Sequence, residues 1–125
     1  MNEKSIRPKI RPAIDTTRLA AAMDHLPVGI TIIDTAGIML YYNAYSARYV
    51  DRKPEYIGRD IRTCHAEDAS IKKIEGFLKL LAAGSKAEVH YEAERGGVRL
   101  AVTVTPFEFG GELVGFIQSF LVKKG

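Results

Sequence analysis

The sequence predicts an α+β domain: a five-stranded antiparallel sheet with helices on one face, preceded by an N-terminal flanking helix. Three observations carry that prediction. Two β-branched runs near the start are joined by a three-residue connection containing glycine, the pattern of a hairpin. One long amphipathic run at 68–83 repeats its apolar residues at helical spacing. Three further runs, at 86–94, 98–104 and 113–122, follow it with turn residues between them, as in a meander. Two strands, a helical crossover and three more strands leave one sheet face for helices to cover.

The elements follow in order. Residues 15–26 begin with capping types and continue with helix formers, and Leu19, Met23 and Leu26 make one narrow apolar stripe that Pro27 ends. Residues 28–34 and 38–43 form the hairpin, with Asp34 and Gly37 suited to its turn and Asn43 placed to cap the helical turn that follows. No long period holds between residues 44 and 61, where Pro54 and Gly58 punctuate short helical turns. In the long helix Ile71, Ile74, Leu78 and Leu81 make the buried face, widened by Phe77, with Asp68 at its N-cap and Gly84 just past its end. Strand 86–94 alternates Val89, Tyr91 and Ala93 against Glu88, His90 and Glu92. Strand 98–104 sets Val98, Leu100, Val102 and Val104 on one face, and residues 107–111 turn into the last strand. Gly115 inside that strand permits a close backbone approach.

The chain has 125 residues, 46% apolar and 26% charged, the size and balance of one ordinary domain. The division expected is a basic disordered tail at 1–14, the flanking helix at 15–27 and the folded domain at 28–122. No apolar run reaches the ~18 residues that span a bilayer, and the N-terminus lacks a signal-peptide core, so the expected location is cytoplasmic, with no membrane partner. The lone Cys64 forms no internal disulfide, in keeping with a reducing compartment. The net charge of +3 sits in the tail, on Lys4, Arg7, Lys9 and Arg11, and not on a folded stripe, so no nucleic-acid partner is expected. No phosphate-binding loop, paired-histidine metal motif or nucleophile elbow is present, and no enzymatic activity is expected.

Five segments, in this order and spacing, resemble the PAS family: Leu26-Pro-Val-Gly-Ile30, Ile33-Asp-Thr-Ala-Gly37, Tyr42-Asn-Ala44, Tyr56-Ile-Gly-Arg59 and Gly110-Gly-Glu-Leu-Val-Gly-Phe116. The resemblance runs from about Ala20 to Leu121. It implies a sheet whose concave face can enclose a ligand, and signalling through dimers and a flanking helix. Fold alone leaves function open, so the site rests on its own residues.

Gly58-Arg-Asp-Ile-Arg-Thr-Cys-His65 is the most individual segment. Its Cys-His step resembles that of carbon-monoxide-responsive haem PAS regulators, in which the histidine is an axial ligand of haem iron. Carried over, the metal ligand is His65 and the cofactor haem b, with Ile61, Ile74, Leu78, Leu100 and Val102 packing round it. The sequence departs from that pattern in having Ala66 where those regulators have proline, and no methionine beyond Met39 to serve as the second ligand. His90 occupies roughly the right strand, but alternation turns it outward, and His25 lies in the flanking helix. A structural role for His65, such as capping, stays open beside the haem role, and Cys64 reads as a buried small residue.

Three functions follow from these residues. The first is a ligand-binding sensor in signal transduction, with haem b reporting redox state or a diatomic gas. The second is a ligand-free interaction module that forms a homodimer through Leu19, Met23 and Leu26. The third is a sensor of a small organic ligand, which polar groups inside the cavity should satisfy. Each requires an output partner that the sequence does not identify.

Overall fold

The computed structural model describes residues 14–64 and 68–124. The basic tail therefore lies outside the described residues, apart from Ile14, which is exposed. The elements run α1 (Thr16–Asp24), β1 (Gly29–Asp34), β2 (Met39–Tyr42), α2 (Ala44–Tyr49), 3-10 turns at Pro54–Tyr56 and Ile61–Cys64, α3 (Asp68–Ala82), β3 (Val89–Arg95), β4 (Val98–Phe109) and β5 (Glu112–Val122). The five strands form one sheet in the order β2-β1-β5-β4-β3, every pairing antiparallel. The α+β reading of the sequence holds.

Local chemistry accounts for most boundaries. Asp15 caps α1 by accepting from the Arg18 amide at 2.8 Å. That helix stops at Asp24, two residues short of the expected stripe, because its last amides turn to tighter bonds: His25 donates to the Ala22 carbonyl and Leu26 to that of Met23. Leu26 thus lies past the helix, and Pro27 follows with no N–H to continue it. In the β1–β2 turn one Asp34 oxygen accepts from the amides of Ala36 and Ile38, both at 2.9 Å, and Gly37 takes the positive φ of 91°. Asn43 caps α2 by accepting from the Ser46 amide at 3.1 Å. At the end of α3, Gly84 donates to the Leu81 carbonyl and Ser85 to that of Leu80, a Schellman pair.

One strand differs from its expected span. Strand β4 runs through Pro106 to Phe109, where a turn was expected from Phe107. Its pairing with β3 ends at Val104, so beyond that point β4 has no neighbour on that side, and the missing proline N–H breaks no ladder there. Gly115 faces Asp34 across β1 and β5, and a Cβ there would come within 1.9 Å of the Ile33 carbonyl oxygen. The expected close approach is real, and no other residue fits.

The core lies between the sheet and its helices. Ile33, Met39, Leu100, Val102, Val104, Phe116 and Phe120 come from the sheet, Ile61 from the 3-10 turn beside it, and Ile74, Phe77 and Leu81 from α3. The buried face of α3 is centred on Phe77, which stacks on Tyr91 at 6.0 Å and meets Phe116 edge-on at 5.8 Å. Ile71 and Leu78, expected within that face, are its half-buried margins. Tyr45 and Tyr49 of α2 pack on Phe120. Phe116 and Phe120 share one side of β5, so α2 and α3 cover the same face. The segment at 58–60 lines the free edge of β2: Met39 donates to the Arg59 carbonyl and Gly58 to that of Met39, which shields an edge strand from foreign pairing.

Candidate functional site

Burial along the inner face is not uniformly apolar. Thr31 of β1 and Ser46 of α2 are buried, and Arg52, in the loop after α2, is only 8% exposed. Thr31 pairs directly with Gln118 across β1 and β5, so both side chains point to the same face. Arg52 lies over that pair. Its Nε donates to Thr31 Oγ1 at 3.0 Å, Nη2 to Gln118 Oε1 at 3.0 Å and Nη1 to the Asp51 carbonyl at 2.9 Å. Gln118 Nε2 in turn donates to Tyr91 Oη at 3.3 Å, and Thr31 and Ser46 hydroxyls meet at 3.4 Å.

A buried guanidinium is costly unless its donors are satisfied. Here the sheet supplies the acceptors, from two strands that are neighbours only in the folded state. Burial pushes the Tyr91 phenol up, an effect that Gln118, Arg95 and Arg52 partly offset, so at neutral pH it stays protonated and able to give or take a hydrogen bond. Lys73 of α3 lies 3.9 Å from the centre of the Tyr91 ring, which ties this polar group to the helix above it. Along β5 the inward Gln118 lies between Phe116, which Phe77 meets, and Phe120, on which Tyr45 and Tyr49 pack.

The sequence reading did not identify this polar cluster among the mostly apolar buried residues. One signal was available: Phe116, Gln118 and Phe120 alternate along β5, so Gln118 shares their inward face. Arg52 carried no such signal, since its partners stand 21 and 66 residues away.

The residues named for haem are placed as follows. Ile61, Ile74, Leu100 and Val102 come together in the core, at 2%, 7%, 1% and 4% exposure, and pack on one another. Leu78 is half-buried at the margin and lines a wide open groove with Arg62, Glu75, Lys79 and Ala82. His65 lies outside the described residues. The cavity between α3 and strands β3–β5, bounded by Phe77, Leu81, Val89, Val104 and Phe116, has a volume of about 10 Å³, room for one water. His90 points outward as alternation requires, its Nδ1 3.0 Å from Thr103 Oγ1 and its Nε2 3.3 Å from Glu88. His25 is exposed. Among the described residues no three His, Cys, Asp or Glu side chains are grouped to hold a metal ion, and no helix is long and apolar enough to cross a membrane.

Comparison with known proteins adds to this geometry. A family model described as PAS domain matches residues 19–120. No protein of curated function matches the sequence. Among solved structures, a C-terminal domain from Streptococcus mutans superposes with a TM-score of 0.74 at 23% identity, over 93% of this chain and 90% of that one. The photoactive yellow protein domain of the sensor histidine kinase Ppr from Rhodospirillum centenum gives 0.60 at 26% identity, over 84% and 92%. The PAS domain of BvgS from Bordetella pertussis gives 0.66 at 20% identity, over 87% and 86%.

Proposed function

The chain belongs to the PAS domain family, and from that premise we propose that it is a sensory, non-catalytic domain in signal transduction whose signal is a small organic ligand held against Arg52, Gln118 and Tyr91. The observation that carries this reading is the buried polar cluster on the inner face of the sheet. A purely structural core gains little from placing a guanidinium there, because an apolar residue of similar volume would avoid the desolvation. A ligand site needs a few fixed polar groups in apolar surroundings, and this cluster supplies them. The neighbouring cavity under α3 has room for only one water, so in this reading α3 moves outward from the sheet to admit the ligand. Sensor histidine kinases among the similar structures support the signalling role.

The test is a thermal-shift screen of the full chain with small carboxylates, amides and aromatic alcohols. A ligand at 100 times its Kd stabilises by about 2.7 kcal/mol, a shift of several degrees in a domain of this size. Gln118→Leu should abolish the shift for any hit. Haemin belongs in the same screen: a Soret band lost in His65→Ala but kept in Gln118→Leu would overturn the polar-ligand reading in favour of haem b.

The assembly we propose is a homodimer through the stripe on α1 and its exit, where Leu19 is 46% and Leu26 39% exposed. Sedimentation of wild type and Leu19→Glu tests it. A monomer in both would leave the stripe without that role, and the output partner would then have to engage a single copy.

A further inference from the structure

The hydrogen bonds that leave Arg52 have only one possible direction, because a guanidinium donates and cannot accept. Gln118 must therefore turn its carbonyl oxygen to Arg52 Nη2, at 3.0 Å, and that fixes the other end of the amide. Its Nε2 faces Tyr91 Oη at 3.3 Å and donates to it. The phenol accepts in this bond, so its own proton points elsewhere, and among the described residues nothing takes it. On the other branch Thr31 accepts from Arg52 Nε, and the Thr31 and Ser46 hydroxyls meet each other, both fully buried. That branch is closed. The end of the cluster at which a ligand can bond is the half-buried Tyr91, and it offers a donor.

Charge at that end has one sign. Lys73 Nζ, on the exposed side of α3, stands 3.9 Å from the centre of the Tyr91 ring. Arg95 and Arg52 also act on the phenol with positive charge. The nearby acids face other ways. Glu92 and Glu94 alternate to the outer face of β3, where Glu92 is held by Arg99 and Lys123. Glu75 of α3 lines the open groove beside Arg62. A hydroxyl proton beside an ammonium group suits a carboxylate oxygen, which accepts a charge-assisted bond from the first and is balanced in charge by the second.

We propose that the ligand of this cluster is a small monocarboxylic acid bound as its anion, with a carboxylate oxygen accepting from Tyr91 Oη and the Lys73 ammonium as its counter-charge. This assignment rests on the sensory reading for the site and adds the polarity of what enters it. An amine brings only donors to a donor and a positive charge to cations, and the site rejects it.

Three probes with the same ring test this: benzoate, benzamide and benzylamine, each titrated calorimetrically into the full chain. Benzoate should bind about tenfold or more tighter than benzamide, the margin of a charge-assisted bond, and benzylamine should give no binding heat. Tyr91→Phe keeps the ring against Phe77 and removes only the donor. It should weaken benzoate about tenfold or more and erase the preference over benzamide. Lys73→Gln, at an exposed position, should weaken benzoate while leaving benzamide unchanged. Benzamide or benzylamine binding as tightly as benzoate, or full benzoate affinity in Tyr91→Phe or Lys73→Gln, overturns the carboxylate assignment and leaves the sensory site standing. Silence from all three probes overturns the assignment as well. A hit of another chemistry in the thermal-shift screen would then keep the sensory reading alone, and a screen with no hit would remove both.

Discussion

Along α3, Ile74, Phe77 and Leu81 are all less than a tenth exposed, whereas on α1 and its exit Leu19 and Leu26 stay at 46% and 39%. Both segments carry apolar residues at helical spacing, yet one is cemented to the sheet and the other is tied by hydrogen bonds at a single end. The difference shows that spacing states which face a helix would bury and leaves open whether anything is there to bury it. For α3 the sheet supplies Val104 and Phe116, and Phe77 fills the gap between Phe116 and Tyr91. For α1 the fold supplies the amide of Asn43 to the Met23 carbonyl and the Ala44 N–H to Asp24. Apolar burial is strong and undirected, while buried polar contacts are few and depend on geometry.

The largest expected effect follows from that contrast. Ile74→Ala should destabilise the domain by roughly 2–5 kcal/mol, the range for truncating a buried isoleucine. Leu19→Ala should change monomer stability by less than about 0.5 kcal/mol, as exposed substitutions do. Urea unfolding of the two variants beside wild type decides it. Comparable losses would mean that α1 is cemented as firmly as α3 and would break the comparison.

The two sides of the molecule were also unequally legible in the sequence. The α3 face could be read because Ile74, Phe77 and Leu81 report their burial through spacing alone, although the weight given to Ile71 and Leu78 missed how far the Phe77 ring shifts the centre. Asp34, Asn43 and Gly115 were legible because each acts on backbone within a turn, a cap or a strand crossing. Arg52 was not, because its environment is made by Thr31 and Gln118, whose pairing exists only once β1 and β5 are neighbours. The Cys-His step drew attention by its chemistry, yet His65 lies outside the described residues; of the apolar positions chosen for it, Ile61, Ile74, Leu100 and Val102 lie in the core and Leu78 at its margin.

A smaller effect sharpens the account of how α1 is tied. Asp24 places a carboxylate at the first amide of α2, where a negative charge opposes the exposed N–H groups. Asp24→Asn keeps an oxygen acceptor and drops the charge, so it should cost about 0.3–1 kcal/mol and less at high salt. Melting at low and high ionic strength measures it. A cost that does not respond to salt would show that hydrogen-bond geometry, and not charge, holds the joint.

The smallest effect lies on the other side, in the clip that fixes the chain before α3. Arg62 Nε donates to Asp60 Oδ1 at 2.9 Å and Nη2 to Oδ2 at 2.7 Å, and Nη2 also reaches the Ala36 carbonyl at 3.1 Å in the β1–β2 turn. These bonds from Arg62, above all, hold the Asp60 carboxyl below its ordinary range, against some opposing desolvation. A carboxylate that binds its proton less readily when folded contributes stability above its unfolded pKa, and that contribution fades as pH falls through the ordinary carboxylate range towards the folded value. Both side chains are about a third exposed, so the contribution should be below about 1 kcal/mol. Asp60→Asn removes the titrating group, and its stability should therefore approach that of wild type as the pH is lowered from 7 to 3. Equal losses at both pH values would assign the role of Asp60 to its uncharged bonds with the Arg62 backbone and leave the ion pair without effect.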